Sequence, residues 1–122
     1  MREKRRFIRF EIALKVYYYI QRDPKTEKTG ITRDVSAGGM HLVTQEKLET
    51  GSRVELKIFA PEAPNPIHLV GIVLWSREIA DAKNPSYSSG IEFGDVEEDN
   101  KTTFLRFLCD LMYRKIGKKK GE

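Results

Sequence analysis

Two short stretches hold the residues best equipped to grip a ligand. The first is Thr29 to Val43, TGITRDVSAGGMHLV. Ile31, Arg33 and Val35 alternate there with Thr32, Asp34 and Ser36, the period-2 pattern of a strand with two different faces. Asp34 and Ser36 are therefore expected on one face. Gly38 and Gly39 follow, and without a Cβ they let the backbone turn sharply or approach another group closely. A carboxylate, a hydroxyl and bare backbone amides gathered in one place make a polar docking edge. The same residue types also make an ordinary hairpin turn, in which their side chains bond nearby amides.

The second stretch is the basic start of the chain, MREKRRFIRF. Arg5 and Arg9 are four residues apart, with Arg6 between them and Lys4 just before. A guanidinium group is flat and permanently charged, and its forked donors match phosphate oxygens. They also match O6 and N7 of guanine, and the flat face can stack on a purine. On a mobile lead-in, such groups could close over a ligand held on the Asp34–Gly39 edge. A basic N-terminus can equally be solvated charge.

The elements that must position these residues follow from the remaining pattern. Phe10, Ile12, Leu14, Val16, Tyr18 and Ile20 alternate with polar positions, which predicts a long first strand. Asp23-Pro24-Lys25-Thr26 reads as the turn that ends it. The second strand runs to about Ser36 and the third over Met40 to Val43. Leu48 anchors a connector that turns at Gly51, and Val54 to Phe59 alternate as a fourth strand. Pro61, Pro64 and Pro66 mark a loop. Ile67 to Ser76 is more continuously apolar than the other strands, as for a strand covered on both faces. Tyr87 to Phe93 is a sixth strand, with Gly90 at a bend or close approach.

Only the end of the chain changes period. Phe104, Leu105, Phe107, Leu108, Leu111, Met112 and Ile116 follow helical spacing, with Asp95 and Glu98 at capping-box spacing. Gly117 and the lysines after it suit the helix C-terminus. The fold class expected is all-β in the main, a six-stranded antiparallel barrel with one C-terminal α-helix. Residues 1–9 form a basic lead-in, 10–117 the barrel and helix, and 118–122 a basic tail.

With 122 residues the chain fits one domain, and its net charge of +4 favours an anionic partner. The single cysteine, Cys109, rules out an internal disulfide and is expected to be buried in the helix stripe. The chain start has no signal-peptide segment, and the longest apolar run, Leu69 to Trp75, is too short to span a bilayer. The cytoplasm is the expected address. His41 and His68 have no metal-site spacing and Cys109 has no evident base, so neither an enzyme nor a bound metal or cofactor is expected.

Arg5-Arg6-Phe7-Ile8-Arg9 and Asp34-Val35-Ser36-Ala37-Gly38-Gly39 are, in order, an RxxxR motif and a [DN]xSxxG motif. On these the sequence resembles the PilZ domain family, receptors for the bacterial second messenger cyclic di-GMP. The resemblance extends to Leu48 and Gly51, to Val54–Ile58, to Val73-Leu74-Trp75 and to Gly90–Phe93, covering about residues 3 to 115. It implies a PilZ-type barrel and a cyclic di-GMP receptor in which Arg5 and Arg9 bind phosphates and guanine bases. It further implies that Asp34 and Ser36 contact guanine and the ligand backbone. Gly39 would allow close approach at the ligand, with Arg6, Gly38 and Gly90 beside the site. Since no output domain is attached, the signal would pass through a protein partner or self-association. The alternative is a small basic barrel binding single-stranded nucleic acid, with Tyr17 and Tyr19 as stacking residues.

Overall fold

The computed structural model describes residues 8–61, 63–79, 84–94 and 98–121, with helix side chains described over 101–114. Arg5 and Arg6, the lead-in before them, and Asp95 of the expected capping box lie outside the described residues.

The strands are β1 (Lys15–Ile20), β2 (Asp23–Val35), β3 (Gly39–Thr44), β4 (Arg53–Phe59), β5 (Ile67–Glu78) and β6 (Tyr87–Phe93), followed by helix α1 (Glu98–Gly121). All neighbours pair antiparallel, and the order β1-β2-β3-β6-β5-β4 closes on itself as a barrel. Alternation decides what lies inside. Leu14, Val16, Tyr18, Val35, Leu42, Val54, Leu56, Ile58, Val73 and Ile91 fill the interior, so the barrel is a packed core.

The first strand is shorter than its alternation predicts. Phe10 makes a single bridge to Val35, and regular pairing begins only at Lys15. Between them the side chain of Thr32 stands in for backbone. Its Oγ1 accepts from the Leu14 amide at 2.8 Å and donates to the Ile12 carbonyl at 2.7 Å. The turn is also earlier than expected. Ile20 pairs with Asp23, so Gln21 and Arg22 form the turn, and Asp23 to Thr26 belong to β2. Pro24 is tolerated there because the β1–β2 register shifts between Tyr18 and Ile20.

Two bulges reshape the middle of the sheet. Thr32 pairs with Leu42 and Asp34 with His41, which leaves Arg33 as an extra residue in β2. Val73 pairs with Ile91 and Trp75 with Gly90, which leaves Leu74 extra in β5. An extra residue reverses which side chains point inward. Thr32 and Val35 are thus both buried, while Ile31, expected to share Val35's face, is 54% exposed. In β5 the apolar run is not covered on both faces: Leu74, next to inward-facing Val73, is 50% exposed, and the bulge turns Trp75 outward after it.

Helix α1 packs against β5, with Phe104 edge-on to Phe93 at 5.3 Å. Its buried stripe is narrower than the sequence pattern. Phe104 and Leu108 are buried, and Phe107 and Leu111 pack partly against the core, whereas Leu105 and Met112 face outward. Cys109 is exposed rather than buried, one position round from Leu108 on a helix that covers the barrel with one side only. Helical structure continues past Gly117 to Gly121. None of the described helices is long and apolar enough to cross a membrane.

Candidate functional site

The bulges at Arg33 and Leu74 flank the central β3–β6 pair, and together they create one row across four strands. Asp34 of β2 lies opposite His41 of β3, His41 opposite Gly90 of β6, and Gly90 opposite Trp75 of β5. Without the extra residues, strict alternation from Thr32 and Val73 would turn Asp34 and Trp75 into the core. With them, both side chains stand on the outer wall beside His41.

Gly90 makes room for the row. A Cβ there would lie 2.5 Å from Nε1 and 2.6 Å from Cε2 of Trp75, so the indole lies directly over the glycine. The close approach is that of a side chain rather than of backbone. The His41 and Trp75 rings meet at 5.2 Å, tilted by 48°, and the Arg77 guanidinium lies 4.7 Å from the Trp75 ring centre.

At the other end of the row, Arg9 reaches Asp34. Its Nη1 is 3.7 Å from Oδ1 of Asp34 and 3.3 Å from Nδ1 of His41. Nδ1 of His41 is 2.8 Å from Oδ2 of Asp34. A carboxylate oxygen only accepts, so this short contact places the proton on Nδ1, which then cannot accept from Arg9. Arg9 is held by charge rather than by a close hydrogen bond, and with 40% of its side chain exposed it can swing outward. The bridge from Phe10 to Val35 anchors its backbone beside β2.

Ser36 and the glycines build the adjoining turn. The Ser36 amide donates to the Gly39 carbonyl at 2.8 Å, and its Oγ accepts from the Gly38 amide at 3.2 Å. Gly38 in turn accepts at its carbonyl from the Phe93 amide at 2.9 Å. A side chain on Gly39 would collide with the Ile91 carbonyl oxygen, so β6 alone accounts for glycine at that position. An open recess of about 370 Å³ adjoins Asp34, lined also by Glu11, Ile12, Ala13, Thr32 and Arg33. It lies where Thr32 holds the lead segment in place of regular pairing.

The structure thus brings together Arg9, Asp34, Ser36, Gly38 and Gly39, with Gly90 two strands along from Asp34, while Arg5 and Arg6 fall outside the described residues. Sequence reasoning missed His41, Trp75 and Arg77. Alternation with buried Met40 and Leu42 would have put His41 outward beside the site; nothing local announces the bulge that exposes Trp75. Tyr17 and Tyr19 lie on the outer wall at β1. Lys15 sits 5.0 Å over the Tyr17 ring and Lys57 5.3 Å over that of Tyr19, and Phe59 packs edge-on against Tyr17. The Tyr19 hydroxyl donates to Glu27, whose carboxyl it holds below the usual carboxylate range. Among the described residues, no group of three or more His, Cys, Asp or Glu could hold a metal ion.

The structure is thus a six-stranded antiparallel barrel with a C-terminal helix, and it sets Arg9 beside an Asp-x-Ser-x-x-Gly turn. The PilZ domain profile matches residues 3–109, and the chain belongs to the PilZ domain family. Among solved structures, it is similar to the PilZ domain of Escherichia coli YcgR with c-di-GMP, at 16% identity and a TM-score of 0.68, over 98% of this chain and 99% of that one. It is also similar to the Bacillus subtilis inhibitor of motility MotI/DgrA, at 20% identity and a TM-score of 0.69, over 93% of this chain. MrkH of K. pneumonia in its apo state aligns at 18% identity with a TM-score of 0.74, over 97% of this chain. The chain spans about half the length of the last two, 53% and 55%. No curated relative matches it by sequence.

Proposed function

We propose that this protein is a receptor for cyclic di-GMP. The ligand is clamped between the N-terminal arginines, Arg5 and Arg9 with Arg6 in support, and the edge formed by Asp34, Ser36 and Gly39. The observation that carries the reading is the meeting of the two motifs: Arg9 Nη1 stands 3.7 Å from the Asp34 carboxylate although 25 residues separate them in sequence. Cation and carboxylate side by side match a ligand that presents both phosphates and the N1–H and N2 amino donors of guanine. Membership of a family with members solved in complex with c-di-GMP supports the same ligand. The role is that of a non-catalytic adaptor, its output passing through a protein partner that reads the ligand-bound surface.

Titration calorimetry against cyclic di-GMP, its adenine counterpart and the linear dinucleotide tests this. The cyclic guanine ligand should bind and the adenine one should not. A hydrogen bond to a charged group contributes about 1.5 to 3 kcal/mol, so Arg9→Ala should weaken binding roughly ten- to a hundredfold. Unchanged affinity in that variant removes the clamp, and no binding by the wild type removes the receptor reading.

A further inference from the structure

Asp34 and Arg9 carry opposite charges and are close enough to pair with each other, which would take both away from any ligand. An unhindered arginine and carboxylate close to a bidentate contact of about 2.8 Å. Here they stop at 3.7 Å. His41 touches both groups: its Nδ1–H holds Oδ2 of Asp34 at 2.8 Å, and the same nitrogen is 3.3 Å from Nη1 of Arg9. The ring is braced from behind. It packs against Trp75 at 5.2 Å across Gly90, where any side chain would displace the indole.

We infer that His41 is a positioning residue of the ligand site, one that fixes the plane of the Asp34 carboxylate and keeps Asp34 and Arg9 from closing on each other. The inference rests on the receptor reading above and deepens it, because a fixed carboxylate is what distinguishes guanine from purines lacking its N2 amino group. His41 takes one lone pair of Oδ2, so Oδ1 and the second lone pair of Oδ2 are offered, in the plane it fixes, to the N1–H and N2 amino donors of guanine. Loss of the Nδ1 donor lets the carboxylate rotate onto Arg9, so the ligand must break an ion pair before it binds.

Two substitutions separate the donor from the ring. His41→Phe keeps a ring against Trp75 and removes the donor. His41→Asn removes the ring and places an amide N–H the same number of bonds from the backbone as Nδ1. Calorimetry on wild type and both variants, with cyclic di-GMP and its hypoxanthine analogue, reads affinity and discrimination together. His41→Phe should bind cyclic di-GMP about tenfold more weakly and lose most of the preference over the hypoxanthine ligand. His41→Asn should stay within about threefold of wild type and keep that preference. Melting temperatures should match in all three, since His41 is part-exposed on the outer wall. Wild-type behaviour in His41→Phe, equal losses in both variants, or an equal loss for both ligands would overturn the assignment while leaving the receptor reading intact. Failure of wild type to bind cyclic di-GMP is the separate result that removes both.

Discussion

Replacing Thr32 by valine tests how the lead segment is fixed to the barrel. The two side chains have nearly the same shape, so the change removes one hydroxyl and little else. That hydroxyl is in a residue only 2% exposed, where it accepts from Leu14 N and donates to Ile12 O. Water cannot easily replace it at Leu14, and a buried donor left unpaired costs about 1–3 kcal/mol. Taking about 2 kcal/mol, and the usual unfolding entropy per residue for a domain of this size, the melting temperature should fall by about 8 °C. Thr32→Ser keeps the hydroxyl and should lose less than half as much. The segment released by Thr32→Val carries Arg9, so affinity for cyclic di-GMP should fall as well. Circular dichroism melts of the three proteins, with calorimetry alongside, read both effects. A Thr32→Val melt within about a degree of wild type would refute the argument, because it would mean the hydroxyl bridge contributes nothing that water does not replace.

Other perturbations address separate parts of the fold. Gly90→Ala sets a methyl group against the indole of Trp75, the only tryptophan in the chain, so its fluorescence should shift and stability fall by about 1–3 kcal/mol. An unchanged emission spectrum would contradict the packing. Burial, and then the Glu46 carboxylate that accepts its hydrogen bond at 2.9 Å, push the Tyr18 hydroxyl above its ordinary value of 10.0. The fold therefore favours the protonated phenol. Stability from this source is whole below pH 10.0 and is lost as pH rises above it. Tyr18→Phe should cost about 1 kcal/mol at neutral pH and flatten the alkaline decline. Urea midpoints that fall in parallel for the two proteins would count against it.

Much of this was legible because barrel strands write their burial into alternation. Leu14, Val16, Tyr18 and Ile20 point inward as their spacing predicts, and β6 spans Tyr87–Phe93 as read. What could not be read depends on partners far away in sequence. A bulge exists only relative to the strand beside it, so neither Arg33 nor Leu74 looks unusual locally. The faces of Ile31, Asp34 and Trp75 were hidden with it. Thr32 looked like a strand residue, and only the fold shows its hydroxyl acting as a backbone group for the lead segment. Cys109 and Leu105 match the helical stripe, but a helix that meets the barrel with one side only buries less than the full apolar arc. At the site, Asp34 is legible from its motif, whereas the histidine that holds it stands in no metal or catalytic spacing that would single it out.

The row that runs from Asp34 to Trp75 stands on the outside of a barrel whose interior is already filled. Nothing in the barrel itself has to open for a guest to arrive there. A flat dinucleotide laid on that wall would keep one side facing the surroundings. On the receptor reading proposed above, a protein docking there would touch nucleobase and polypeptide as a single mixed surface, so the ligand would be part of the epitope it creates.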